Sequence, residues 1–135
     1  MPTLLVIGDN PGTLFCVRTA VPQWRVISAG SGIMGVGLLQ QHQCAFDLIV
    51  VDTHLPDLDG LSLCTQIRSL NPTIPILFYT DRPVPLAILD ELGYVTCLLK
   101  PAMIEEIIAA LYAAIDQTVS PSASVSLKVT YQQVA

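Results

Sequence analysis

Five short apolar runs, separated by stretches with helical spacing, constrain this chain more than any other feature. The runs are Thr3–Ile7, Trp24–Ser28, Asp47–Asp52, Pro75–Thr80 and Val95–Leu99. Most are rich in Val, Ile and Leu with little polar alternation, the pattern of strands buried on both faces. Between the first two, Pro11 fits a first helical turn, where its missing N–H costs nothing. Leu14, Val17, Arg18 and Val21 give that helix a stripe, and Pro22 closes it. A second helix, Gly32–His42, is weakened by Gly32, Gly35 and Gly37, each costing about 1 kcal/mol relative to Ala. Gly60–Leu70 carries Leu61, Cys64, Ile67 and Arg68 at helical spacing, and Val84–Leu92 ends at Gly93, a natural cap. Met103–Asp116 aligns Ile104, Ile107, Ile108, Leu111 and Ile115 on one face. Strands alternating with helices predict βαβ units, and therefore an α/β doubly wound parallel sheet covered on both faces.

A length of 135 residues is room for one domain. Apolar types make up 52% and charged types 13%, where about 25% charged is usual. That excludes a disordered chain and leaves apolar surface for a partner. The formal charge of −5, with only 6 Lys and Arg, lacks the positive footprint of a nucleic-acid or anionic-membrane binder. Met1-Pro2-Thr3 does not open a signal peptide, and the longest apolar run, Ile107–Ile115, is far short of the roughly 18 residues of a membrane span. The expected location is cytoplasmic. Cys16, Cys44, Cys64 and Cys97 form no CxxC pair and read as small hydrophobes in a reducing compartment. From Val119 the composition changes. Ser120–Ser124 reads as linker, and the alternation of Val125, Leu127, Val129 and Tyr131 fits either an added edge strand or a disordered tail.

In open parallel sheets, chemistry gathers outside the carboxyl ends of the strands. Asp9 follows the first strand, Asp52 ends the third, Thr80 ends the fourth and Lys100 ends the fifth. Two carboxylates, a hydroxyl and an ammonium would surround one crevice. Two close carboxylates with a loop carbonyl suit Mg²⁺, a hard cation that takes oxygen ligands. A carboxylate so placed can act as a nucleophile toward a phosphoryl group. Lys100 would neutralise the phosphoryl charge, and the Thr80 hydroxyl would bond one of its oxygens.

These residues give the chain a resemblance to a known family, the response-regulator receiver domain of two-component signalling. The matching stretches are residues 5–11, 47–60, 75–80 and 98–101, with Asp52, Leu55-Pro56 and Asp59-Gly60 at the family's spacing. The resemblance implies a flavodoxin-like receiver fold, strand order 2-1-3-4-5, over residues 1–117. Residues 118–135 would be a tail with no output domain. It makes Asp52 the phosphoacceptor and Asp9 a direct Mg²⁺ ligand, with the backbone carbonyl of His54 as a third. Thr80 becomes the switch hydroxyl, and Lys100 the salt-bridging lysine before a cis Pro101. His54 and Arg82 take the positions that tune dephosphorylation. The donor would be a histidine kinase or phosphotransfer protein. The chain would not be an enzyme beyond self-phosphorylation and autodephosphorylation at Asp52.

Three positions depart from the family pattern. Gly8 stands where the first member of an acidic pair belongs, which should weaken Mg²⁺ binding. Asp81 follows Thr80 where a small residue is usual and would repel a donor phosphate. Cys97 occupies the place of the aromatic that moves on activation, three residues before Lys100. The alternative is therefore a degenerate receiver that acts as a phosphorylation-independent interaction module. A more distant one is a dinucleotide-binding domain, because Gly30-Ser-Gly32-Ile-Met-Gly35 spells GxGxxG after a strand, with Asp52 ending the next. Apolar residues of the fourth and last helices, among them Leu86, Ile88, Leu89, Ala109, Ala110, Tyr112, Ala113 and Ala114, predict a partly outward apolar set. Through that face, Val84–Asp116, the chain is expected to form a homodimer or meet a partner.

Overall fold

The computed structural model describes residues 2–42, 45–53 and 55–116. Among these, β1 (Thr3–Ile7), α1 (Pro11–Ala20), β2 (Arg25–Ala29), α2 (Gly32–Gln41), β3 (Leu48–Asp52), α3 (Gly60–Leu70), β4 (Ile76–Thr80), α4 (Leu86–Leu92), β5 (Val95–Leu99) and α5 (Ile104–Ile115) alternate strictly. All strand pairs are parallel and the order is β2-β1-β3-β4-β5, as expected. The reading of Cys44, His54 and the 118–135 tail falls outside the described residues.

Side-chain alternation divides the core into two layers. Leu5, Ile7, Ile49, Val51, Ile76, Phe78 and Cys97 face α2, α3 and α4. Leu4, Val6, Leu48, Val50 and Leu77 face α1 and α5. The start of β4 moves from Pro75 to Ile76, since a proline has no N–H for the ladder. The fourth helix starts at Leu86 and not Val84, because Pro85 keeps the residue before it out of helical geometry.

Two helices sit differently from their expected stripes. Helix α1 buries Thr13, Val17 and Ala20, whereas Leu14 is only partly covered and Arg18 is exposed. The stripe is turned by about one residue, which carries the Thr13 hydroxyl into the interior. Helix α5 buries Ala110 and Ala114 beside Ile107 and Leu111. These alanines were expected off the core stripe. Their small side chains instead join Val17, Ala20 and Val21 of the α1 segment in one cluster. Tyr112 is 44% exposed, yet it packs edge-on against Trp24 at 4.9 Å and accepts a hydrogen bond from Gln23. Exposed large apolar side chains include Leu86, Met103 and Tyr112 within Val84–Asp116, and Phe15 and Ile33 on other helices.

Arg68, at helical spacing with Leu61, Cys64 and Ile67, makes polar contacts. Its guanidinium donates to the carbonyls of Leu92 and Gly93 through Nε, of Asn71 through Nη1, and of Ile74 (2.6 Å) and Tyr94 through Nη2. It thereby ties the end of α3 to the turn between α4 and β5. That turn holds Gly93 at φ 72° and Tyr94 at φ 54°, the second an uncommon conformation for a bulky residue. Among the described residues, no helix is long and apolar enough to cross a membrane.

Candidate functional site

The β1–β3 register pairs Ile7 with Val51, so Gly8 follows beside Asp52 at the carboxyl edge. Alternation along β3 turns Asp52 toward the face covered by α1 and α5. There it is fully buried, at 0% exposure. Lys100 Nζ lies 2.7 Å from Asp52 Oδ1 and forms a salt bridge with it. The Thr13 hydroxyl, reaching from α1, donates to Asp52 Oδ2 at 2.6 Å. Lys100 also stands 5.0 Å from the centre of the Tyr79 ring, within range of a cation–π interaction. Burial pushes the Tyr79 phenol above its ordinary pKa. The Lys100–Pro101 peptide is cis.

Gly8 has a steric reason to lack a side chain. A Cβ there would stand 2.7 Å from Asp52 Cβ and 3.6 Å from Asp52 Oδ2. In this packing an acid at residue 8 does not fit beside Asp52 unless the ends of β1 and β3 part. The missing acidic partner and the inward seat of Asp52 are thus one feature.

Thr80 ends β4, one residue beyond the Tyr79 that pairs with Asp52. Tyr79 packs in the α1 and α5 layer, and the next residue turns to the other side of the sheet. There the Thr80 hydroxyl closes a local turn. It donates to the Arg82 carbonyl at 2.8 Å and accepts from the Arg82 N–H at 3.1 Å. Asp81 is exposed beside it, and Cys97 is buried in the opposite core layer from Tyr79.

Asp9 is exposed and opens on a crevice of about 420 Å³, lined also by Thr53, Leu55, Pro56, Asp57, Leu58 and Asp59. Asp52 is not part of that lining. Two of the crevice carboxylates already serve the fold. Asp59 caps α3, accepting from the N–H groups of Leu61 and Ser62 and from the Ser62 hydroxyl, which together hold it below the usual carboxylate pKa. Asp57 accepts from the N–H groups of Ile33 and Gly32, each at 2.9 Å, and is lowered for that reason. The N–H of Met34 is taken by Ser31 Oγ. These are the donors that a dinucleotide phosphate would need at this helix start. The protein's own groups fill them, so the GxGxxG match marks close packing. A Cβ on Gly32 would meet Leu58, and one on Gly35 would meet Ile7.

The donor chemistry of Asp9 and Asp52 suits a hard cation, with Asp9 exposed at the crevice and Asp52 buried behind it. Among the described residues no group of three or more carboxylate, imidazole or thiolate side chains is gathered for a metal. Both Asp52 oxygens are already engaged by Lys100 and Thr13.

Thr13, Tyr79 and Asp57 were missed by sequence reasoning. The first had a signal: a threonine four residues before Val17 and seven before Ala20 shares their helix face, and a buried hydroxyl requires a partner. Tyr79 and Asp57 gave none, because their contacts join separate elements.

Comparison with known proteins agrees with this fold. The probable transcriptional regulatory protein TcrX of Mycobacterium tuberculosis is 30% identical over 123 residues, covering 86% of this chain and 50% of that protein. The transcriptional regulatory protein GlrR of Escherichia coli is 30% identical over 124 residues, covering 89% of this chain and 27% of that one. The chain thus spans half or less of these curated relatives. The non-phosphorylated HemR receiver domain from Leptospira biflexa superimposes with a TM-score of 0.76 at 28% identity, covering 88% of this chain and 98% of that structure. The Mn²⁺-bound response regulator Rcp1, at 18% identity and a TM-score of 0.70, covers 90% and 99% and shares the fold. A sequence profile of the response regulator receiver domain matches residues 4–112, and with the 2-1-3-4-5 sheet and the salt-bridged Asp52 at its carboxyl edge, the chain belongs to the response regulator receiver domain family.

Proposed function

We propose that this receiver works in a phosphorelay, with Asp52 accepting a phosphoryl group from the phosphohistidine of a histidine kinase or phosphotransfer protein. An Asp52 oxygen forms the new bond to phosphorus as the N–P bond breaks, and the imidazole leaves with a proton from solvent. The observation that carries the reading is the 2.7 Å contact of Lys100 Nζ with Asp52 Oδ1. An ammonium fixed there neutralises charge on the transferring group without moving. Thr80 would join after turning from the Arg82 backbone. By the family resemblance, Asp9, Asp52 and the His54 carbonyl would hold Mg²⁺. Its chemistry would be charge neutralisation. A cytoplasmic setting fits the thiols, and the Val84–Asp116 face would meet the partner or a second copy. Beyond self-phosphorylation and autodephosphorylation, no catalysis belongs to this reading.

The enclosure of Asp52 favours a second reading, a degenerate receiver that binds its partner without phosphorylation. Phosphoramidate, whose N–P bond mimics phosphohistidine, separates the two. The first reading predicts a hydroxylamine-sensitive acyl phosphate on the wild-type chain. Complete absence of label at saturating donor and Mg²⁺ supports the second.

A further inference from the structure

We infer that Thr13 is a positioning residue for Asp52, a latch that holds the carboxylate inward and has to release it before an oxygen can meet a phosphoryl donor or a divalent ion. The inference rests on the reading of Asp52 as phosphoacceptor.

Thr13 is 5% exposed and Asp52 0%. Their 2.6 Å contact falls in the short range of hydroxyl bonds to a carboxylate, which are stronger than neutral ones. Lys100 holds the other oxygen at 2.7 Å. The crevice that Asp9 opens onto does not include Asp52 in its walls. The carboxylate is therefore pulled toward α1 and away from the side on which an incoming group would arrive. Gly8 makes the inward seat possible, since a side chain there would press on Asp52 Cβ. A ligand that displaces the Thr13 contact binds more weakly by whatever that contact is worth, and removing the hydroxyl returns that difference.

The test uses the full chain and Mn²⁺ alone as the probe, with Thr13→Val, Thr13→Ala and Thr13→Ser. Losing one hydrogen bond to a charged acceptor should tighten Mn²⁺ binding about tenfold in Thr13→Val. Labelling by acetyl phosphate should speed up by a similar factor. Thr13→Ser keeps the donor and should stay near wild type, and Asp52→Asn should abolish the gain. Thermal unfolding without metal reports whether Thr13→Val is folded, and Thr13→Ala serves in its place if it is not. Unchanged or weaker Mn²⁺ binding in the deletion variants overturns the latch, as does no binding to any variant. A wild-type chain labelled at Asp52 and unaffected by loss of the hydroxyl keeps the phosphoacceptor reading and removes the latch. Tighter Mn²⁺ binding with no labelling of any variant keeps the latch and removes the phosphoacceptor.

Discussion

Gly8 and Asp52 lie so close across the β1–β3 pair that a Cβ on Gly8 would stand 2.7 Å from the Cβ of Asp52. Gly8→Ala should therefore destabilise the fold by about 1–3 kcal/mol, the usual range for overpacking. Urea unfolding would show this as a lower midpoint at unchanged slope. A neutral substitution would mean that the strand ends part easily.

Lys100, partly exposed, and the fully buried Asp52 form an ion pair whose members cannot be removed singly without loss. Lys100→Met leaves a buried carboxylate without its ammonium and should cost about 3–5 kcal/mol. Adding Asp52→Asn should restore part of this, so the double variant is more stable than the sum of the single effects. Simple additivity in chemical denaturation would contradict the pairing.

Arg68 is held by carbonyls, and its loss should act at a distance from Asp52. Arg68→Met strands several carbonyl groups around Asn71, Ile74 and Tyr94. A loss of about 2–4 kcal/mol is expected. Amide exchange should accelerate at the turn between α4 and β5, while Mn²⁺ binding stays as in wild type.

Asp57 gives the β3–α3 loop a pH-dependent hold on α2. Its pKa is lowered by the N–H groups of Ile33 and Gly32, so its stabilising contribution is present above the ordinary carboxylate pKa, about 4, and is lost as pH falls through the lowered folded value. Asp59 acts in the same direction through Ser62. Amides of Gly32 and Ile33 should lose exchange protection in acid before β1 and β3 do. In Asp57→Asn that protection should already be reduced at neutral pH, and an identical acid profile in the two proteins would contradict the contact.

The strands were legible because a parallel sheet covered on both faces leaves continuous apolar runs. β1, α3 and β5 fall where the sequence places them. The candidate site was legible as a set of polar residues at strand ends, and Asp52 and Lys100 do meet. What escaped depends on packing between distant segments. Hydropathy cannot separate an alanine packed on α1, such as Ala110, from one facing solvent. The turn of α1 that buries Thr13 runs against the stronger apolar signal of Leu14. The bond from Thr13 to Asp52 spans 39 residues, and the capping of α2 by Asp57 spans 24 and 25, so no local pattern announces either. Thr80 sits at the expected strand end, yet its hydroxyl finds a nearer partner in the Arg82 backbone.

The central claim, that Asp52 is a phosphoacceptor, is tested most directly by site-resolved mass spectrometry after incubation with acetyl phosphate and Mg²⁺. The predicted result is a single phosphoryl adduct on the peptide containing Asp52, absent in Asp52→Asn and absent without the metal. An adduct that persists in Asp52→Asn, or none on the wild-type chain at saturating donor, would contradict the claim.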